Sequence, residues 1–157
     1  MIKHIQCDIF ESGADIICHQ VNCQGVMNSG IAKQVKNKYP KVYKEYKKLY
    51  NEAKEDKEPL LGCVQAVRIN DDNPFKYIVN IFSQDNYGYD NKCYTNYEIL
   101  KQSFTVIKEW FEDRVIAIPY KIGCIRGGGD WNIVYKMIEE VFNNSDCKVL
   151  ICEYNGG

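Results

Sequence analysis

Between residues 14 and 39 the chain reads ADIICHQVNCQGVMNSGIAKQVKNKY, and its polar side chains are spaced for holding an anion. His19, Gln20 and Asn22 follow the apolar run Ile16-Ile17-Cys18, and Gly25 and Gly30 come next. From Ile31 the pattern turns helical, with Ile31 and Val35 four residues apart and Lys33, Lys36 and Lys38 on the other faces. A buried strand that passes through a glycine-bearing loop into a helix offers unpaired backbone N–H groups and the positive end of the helix dipole. A second stretch of this kind occurs downstream, where VIAIPYKIG at 115–123 runs into CIRGGGDW at 124–131. Two facing N–H-rich loops suit a diphosphate better than a single phosphate, because each phosphoryl group gets its own cradle. Neither loop spells a Walker A sequence or G-x-G-x-x-G, so ATPase and NAD-dehydrogenase readings have little support.

The elements that must carry these loops alternate between strand and helix patterns. Strands are expected at 2–6, 15–21, 61–69, 76–82, 115–123 and 148–153, the fifth breaking at Pro119. Helices are expected at 29–39, from Pro40 at N1 through 41–58, at 95–112 and at 131–142. Pro59 marks the end of the second helix, whose Val42, Tyr46, Leu49, Tyr50 and Ala53 form one stripe with lysines opposite. That lysine run reads as a solvated helix face. Asn70-Asp71-Asp72-Asn73-Pro74 is a turn signal, and a tyrosine-rich loop, SQDNYGYDNKCY, occupies 83–94. Strands interleaved with helices, two of them nearly all apolar, imply a three-layer α/β/α sandwich with a mixed, mostly parallel central sheet of about six strands. In such sheets the ligand lies at the C-terminal strand ends, which puts both glycine loops on one edge.

A length of 157 residues suits a single domain over 1–157, and 45% hydrophobic with 26% charged residues is ordinary for a soluble globular chain. The formal charge of −1 gives no bulk electrostatic argument for nucleic-acid binding, so none is expected directly. No apolar run approaches the ~20 residues that span a bilayer, and MIKHIQCDIF lacks a signal-peptide core. The expectation is a cytoplasmic protein without membrane attachment. Eight cysteines contain no C-x-x-C pair, and a strand would send Cys18 and His19 to opposite faces. Reduced thiols are therefore expected, with no structural metal and no cofactor.

VNCQGVMNSGIAKQVKNKYP at 21–40, with IPYKIGCIRGGGDW at 118–131 and Asp8 near the start, resembles a macro domain, the ADP-ribose-binding module. The resemblance covers essentially the whole chain and implies a cleft for ADP-ribose or a derivative, with ADP-ribosylated macromolecules as further partners. Asp8, with Ile9 beside it, matches the acidic residue that accepts from the adenine amino group. Asn22 matches the asparagine beside the distal ribose. Gly25, Val26, Ser29, Gly30 and Ile31 match the first phosphate loop. Gly123, Cys124, Ile125, Arg126, Gly127, Gly128 and Gly129 match the second, and Tyr154 falls where an aromatic often lies near the base. HQVNCQG and NIFSQ look most like the branch of ADP-ribose-1″-phosphate phosphatases, with the deacylating and deADP-ribosylating enzymes next. Cys7 and Asn28 stand where glycines are usual, Asn28 being tolerable because asparagine accepts positive φ. Branches that cleave ADP-ribose from glutamate or thymidine carry a lysine after the fourth strand, and Asn80-Ile81-Phe82-Ser83-Gln84-Asp85 has none.

On that resemblance, removing a terminal phosphate needs an oriented water or nucleophile, a proton for the leaving oxygen and donors for the equatorial oxygens. His19 matches the histidine of the phosphatase branch and is a general acid or base candidate. Asn22 would orient ribose or water, and Asp85 or Asp130 would supply a carboxylate if either reaches the distal ribose. Each has a plainer structural reading. His19 can be a hydrogen-bonded strand-end residue, Asp130 a helix cap, Asp85 a loop residue and Asp8 a strand terminator. Tyr87 or Tyr89 would cover the ribose or pack the loop, and Trp131 packs in its helix. The implied activity is hydrolysis of an ADP-ribose derivative at the distal ribose; the alternative is a reader that binds ADP-ribose or a related nucleotide without turnover.

Overall fold

The computed structural model describes residues 1–88 and 90–155. Tyr89, named above beside Tyr87, lies outside the described residues. β1 (Ile2–Gln6), β2 (Ile16–Val21), β3 (Val64–Arg68), β4 (Tyr77–Phe82), β5 (Val115–Pro119) and β6 (Lys148–Glu153) form one sheet ordered β1-β6-β5-β2-β4-β3. Every neighbouring pair is parallel except β3 with β4, so β3 is the antiparallel edge of an otherwise parallel sheet.

The continuous apolar runs in β2, β4 and β5 are explained by burial on both faces. On one face Ile16, Cys18, Val79, Ile81, Ile116 and Ile118 pack under α3 (Tyr97–Trp110) and α4 (Trp131–Phe142). On the other, Ile17, Ile78 and Ala117 pack under Val35 of α1 (Gly30–Lys38) and Val42 of α2 (Pro40–Asp56). Val21 and Phe82 continue that face in a separate cluster with Tyr46 and Met27. Three layers result, as the alternation of patterns implied.

Where boundaries differ from expectation, a backbone cause is visible. Gly62 takes φ +101° and donates to the Phe82 carbonyl from a turn, so β3 starts only at Val64. α2 stops at Asp56 with Lys57 in the left-handed conformation, before Pro59 is reached. α3 begins at Tyr97 because Asn96 caps it by accepting from Ile99 N, while Thr95 pairs with Gln84 in an isolated bridge. Pro40 does occupy the first turn of α2. The cysteines are free thiols, and no described helix is long and apolar enough to cross a membrane.

Candidate functional site

β2 and β5 are parallel neighbours, so the loops that leave Val21 and Pro119 emerge side by side at one sheet edge. Between them lies a cleft of about 180 Å³ whose walls include His19, Asn22, Ser29, Gly30, Tyr120 and Arg126. The first loop is held from within. Asn22 Nδ2 donates to Val26 O at 2.9 Å and Asn22 Oδ1 accepts from Gln24 N at 3.0 Å. The fully buried Tyr46 hydroxyl accepts from Val26 N at 3.0 Å and lies 3.0 Å from Asn22 Oδ1. Gly25 takes φ +74°, and a Cβ there would lie 2.8 Å from the Tyr50 ring. Asn28 keeps an ordinary backbone: positive φ in this loop falls on Gly25 and Gly30 instead.

Ser29 stands at the N-cap of α1 without making a side-chain cap bond. Its Oγ instead accepts from Arg126 Nη1 at 2.6 Å, a bridge from the second loop across to the first. The first-turn N–H groups of α1, at Gly30, Ile31 and Ala32 on the cleft wall, thus have no capping side chain. Arg126 also lies 5.3 Å from the Tyr87 ring centre, so three loops meet over the opening.

The second loop owes its shape to close packing. Thr95 Oγ1 donates to Gly123 O at 2.6 Å, and Tyr94 N and Thr95 N both donate to Gly127 O. A Cβ on Gly128 would sit 2.2 Å from Lys92 O. Gln20 ties this brace to the sheet, donating to Thr95 Oγ1 at 3.0 Å and to Gln84 Oε1 at 2.5 Å while accepting from Ser83 Oγ at 2.5 Å. Gln84 follows β4, in the segment 80–85 that carries no lysine. Its amide is committed to Gln20 and to Asn86 O.

Lys121 and Arg126 are the charged residues among the described cleft walls, and no carboxylate joins them. Two cations, an uncapped helix N-terminus and several amides make a site for a polyanion. Asp85 and Asp130 lie off this wall. Asp85 braces the first loop through its backbone carbonyl, which accepts from Cys23 N, and Asp130 caps α4 by accepting from Asn132 N. Burial pushes the Cys23 thiol up to about 12, with Asp85 and Cys63 adding to the rise, and the Cys124 thiol up to about 11. Neither is a ready thiolate at neutral pH.

His19 is 1% exposed, and burial pulls its pKa down to about 4 against a smaller opposing effect of its bond to Asn80. It is neutral at physiological pH, which narrows its acid–base candidacy to that of an acceptor. The unfolded chain takes a proton near pH 6.5 that the folded chain refuses until about 4, so stability falls as pH drops through that window. The full loss is roughly 3 kcal/mol. Urea melts at pH 7 and 4.5 are expected to show a larger loss for the wild type than for His19→Gln; equal losses would contradict this placement.

Asp8 and Tyr154 follow β1 and β6 at the same sheet edge, beyond β5. Asp8 Oδ1 accepts from Phe10 N at the start of a short 3-10 turn, Ile9 is buried in the core, and Tyr154 is 59% exposed. Neither Asp8 nor Tyr154 lines the cleft. Gly25, Cys124, Gly128 and Gly129 shape the loops without forming its wall, whereas Val26, Gly123, Ile125 and Gly127 do form it. Gln20, named with His19 and Asn22 at the first loop, lies on the wall, and Tyr46, Gln84, Thr95 and Lys121 are added by the structure. Trp131 stacks edge-on against Tyr120 on the wall, 5.1 Å between ring centres.

The macrodomain of Mycobacterium tuberculosis DarG superposes on 97% of this chain and 97% of its own, with TM-score 0.77 and 25% identity. The chain has the macrodomain fold. Thermosipho africanus DarTG, solved in complex with ADP-ribose, matches 96% of this chain and 41% of its own at TM-score 0.77 and 21% identity. A curated relative, the DNA ADP-ribosyl glycohydrolase of Mycobacterium tuberculosis, is 27% identical over 158 residues. The chain spans 43% of the length of that relative. No family model matches the chain.

Proposed function

We propose that this macrodomain binds ADP-ribose through its diphosphate and hydrolyses an ADP-ribose derivative at the distal ribose, as one domain over 1–157. The observation that carries the reading is the cleft's charge. Lys121, Arg126 and the uncapped N-terminus of α1 all lie on its wall, with no carboxylate on the described wall to repel a diphosphate. Hydrolysis is supported by the activity of the curated relative, a DNA ADP-ribosyl glycohydrolase, and by the neutral acceptor His19 beside Asn22. Water either attacks the anomeric phosphorus, so that the P–O bond breaks and the C1″ oxygen leaves protonated as ADP-ribose, or attacks C1″, so that the attached group leaves with a proton and the water oxygen stays on the ribose. ADP-ribose-1″-phosphate is the favoured substrate, because the segment 80–85 after β4 carries no lysine of the kind that lysine-dependent branches use.

A second reading, a macromolecular substrate, draws on one further observation. From Gly30 to Tyr50 the chain carries seven lysines and one glutamate, and none of these lysines is ion-paired among the described residues. Lys36 and Lys47 lie over the Tyr43 and Tyr50 rings. Such a face beside the first loop suits a nucleic-acid strand carrying the ADP-ribosyl group, which a whole-chain charge of −1 conceals. The opposing reading, a reader without turnover, draws on the same lack of a carboxylate at the cleft. Purified protein incubated with ADP-ribose-1″-phosphate, and in parallel with ADP-ribosylated single-stranded DNA, is expected to release phosphate or ADP-ribose. Binding of ADP-ribose with neither product would establish the reader.

A further inference from the structure

Under α1 and α2 the sheet's apolar face is split by a row of polar side chains. In register across three strands stand His19 on β2, Asn80 on β4 and Gln65 on β3. On one side of the row Ile17, Ile78 and Val67 belong to one apolar cluster, and on the other Val21, Phe82 and Cys63 belong to a second. A buried polar row is retained only if its members satisfy one another, because each orphaned group is costly.

The hydrogen bonds in this row have a forced direction. It ends at the backbone carbonyl of Glu45 on α2, which can only accept, so Gln65 Nε2 donates to it at 3.0 Å. Gln65 Oε1 is therefore the acceptor for Asn80 Nδ2 at 3.0 Å. Asn80 Oδ1 then faces His19 Nε2 at 2.5 Å, and that nitrogen must carry the proton. Nδ1 of neutral His19 is left with a lone pair, and it is a buried atom without a hydrogen-bond partner. His19 lines the cleft.

We infer that Asn80 and Gln65 are positioning residues that lock His19 as the Nε2–H tautomer, so that its Nδ1 accepts from a ligand hydroxyl. This rests on the functional reading above for the ligand's identity: the donor is a hydroxyl of the distal ribose. A ligand without a donor at that point leaves Nδ1 unpaired and is disfavoured, so the lock selects for the intact sugar. Gln65 touches neither the histidine nor the cleft wall, yet it sets the orientation of the amide that does.

The test is a two-bond 15N–1H correlation spectrum of the histidine rings at pH 7, which separates the two tautomers. Without ligand the His19 signals are expected to report Nε2–H alone, and adding ADP-ribose should shift Nδ1 as it accepts. Gln65→Met frees Asn80 to turn its amide, and the Nδ1–H form should appear, with ADP-ribose affinity falling about tenfold. Asn80→Asp keeps an acceptor toward Nε2 and should keep the wild-type tautomer. Nδ1–H or imidazolium in the wild type, or a folded Gln65→Met with an unchanged tautomer, would overturn the lock. ADP-ribose that binds with Nδ1 unmoved would overturn the acceptor role. Failure of ADP-ribose to bind, with the tautomer as stated, would sink the functional reading and leave the lock standing.

Discussion

Gly127→Ala is expected to weaken ADP-ribose binding by at least about 100-fold and to lower stability by about 2 kcal/mol. The added Cβ would sit 2.2 Å from Thr95 Oγ1, 2.6 Å from Gly123 O and 2.7 Å from Gln20 Nε2. Two of those atoms form the brace between Thr95 and the second loop, and the third ties that brace to β2. None can retreat cheaply, since Thr95 Oγ1 is bonded to Gly123 O and Gln20 is also held by Gln84 and Ser83. The loop must move, and Arg126 next to it loses its aim at Ser29. Calorimetric titration of ADP-ribose beside a thermal melt checks both parts. A folded variant that binds within about threefold of wild type would show that this loop does not hold the ligand.

Asn22→Ala is the second large effect, and it reaches binding as well as turnover. From sequence, Asn22 is a residue that would meet the ribose or a water. In the fold its side chain also bonds Val26 O, Gln24 N and the Tyr46 hydroxyl. Deleting it leaves Gln24 N and Val26 O without those partners, a loss of about 3 kcal/mol if each bond contributes near its usual value. Affinity for ADP-ribose is expected to fall about 100-fold, with release of product from the favoured substrate falling at least as far. Tyr46→Phe removes a bond from the same hub and should weaken binding in the same direction. A variant with normal affinity and lost turnover would mean that Asn22 acts on the reacting atoms alone.

What could be read along the chain was local. Both glycine loops announce themselves because a strand, its loop and the following helix are contiguous, and the parallel neighbours β2 and β5 bring them to one edge. Asp130 as a helix cap was legible for the same reason. The row from His19 through Asn80 to Gln65 was not, because it depends on the register of β2 with β4 and of β4 with β3. Tyr46 shows at sequence level only its place on an apolar helical stripe, while its hydroxyl holds a loop 20 residues away. Lys121 enters the cleft through a turn at φ +62° that no side-chain pattern announces. Asp85 and Asp130 are chemically suited to catalysis, but both lie off the cleft wall, where Asp85 braces the first loop through its backbone carbonyl and Asp130 caps α4.

In the proposed complex two backbone-lined loops at one sheet edge grip a diphosphate, with the terminal sugar set toward His19 and Asn22. Backbone amide shifts followed through an ADP-ribose titration test it most directly. The account predicts saturable movement of Gly30, Ile31 and Ala32 together with Gly123 through Gly127, accompanied by Asn22. Saturating ADP-ribose that leaves both loops unmoved, or moves only residues away from them, would contradict it.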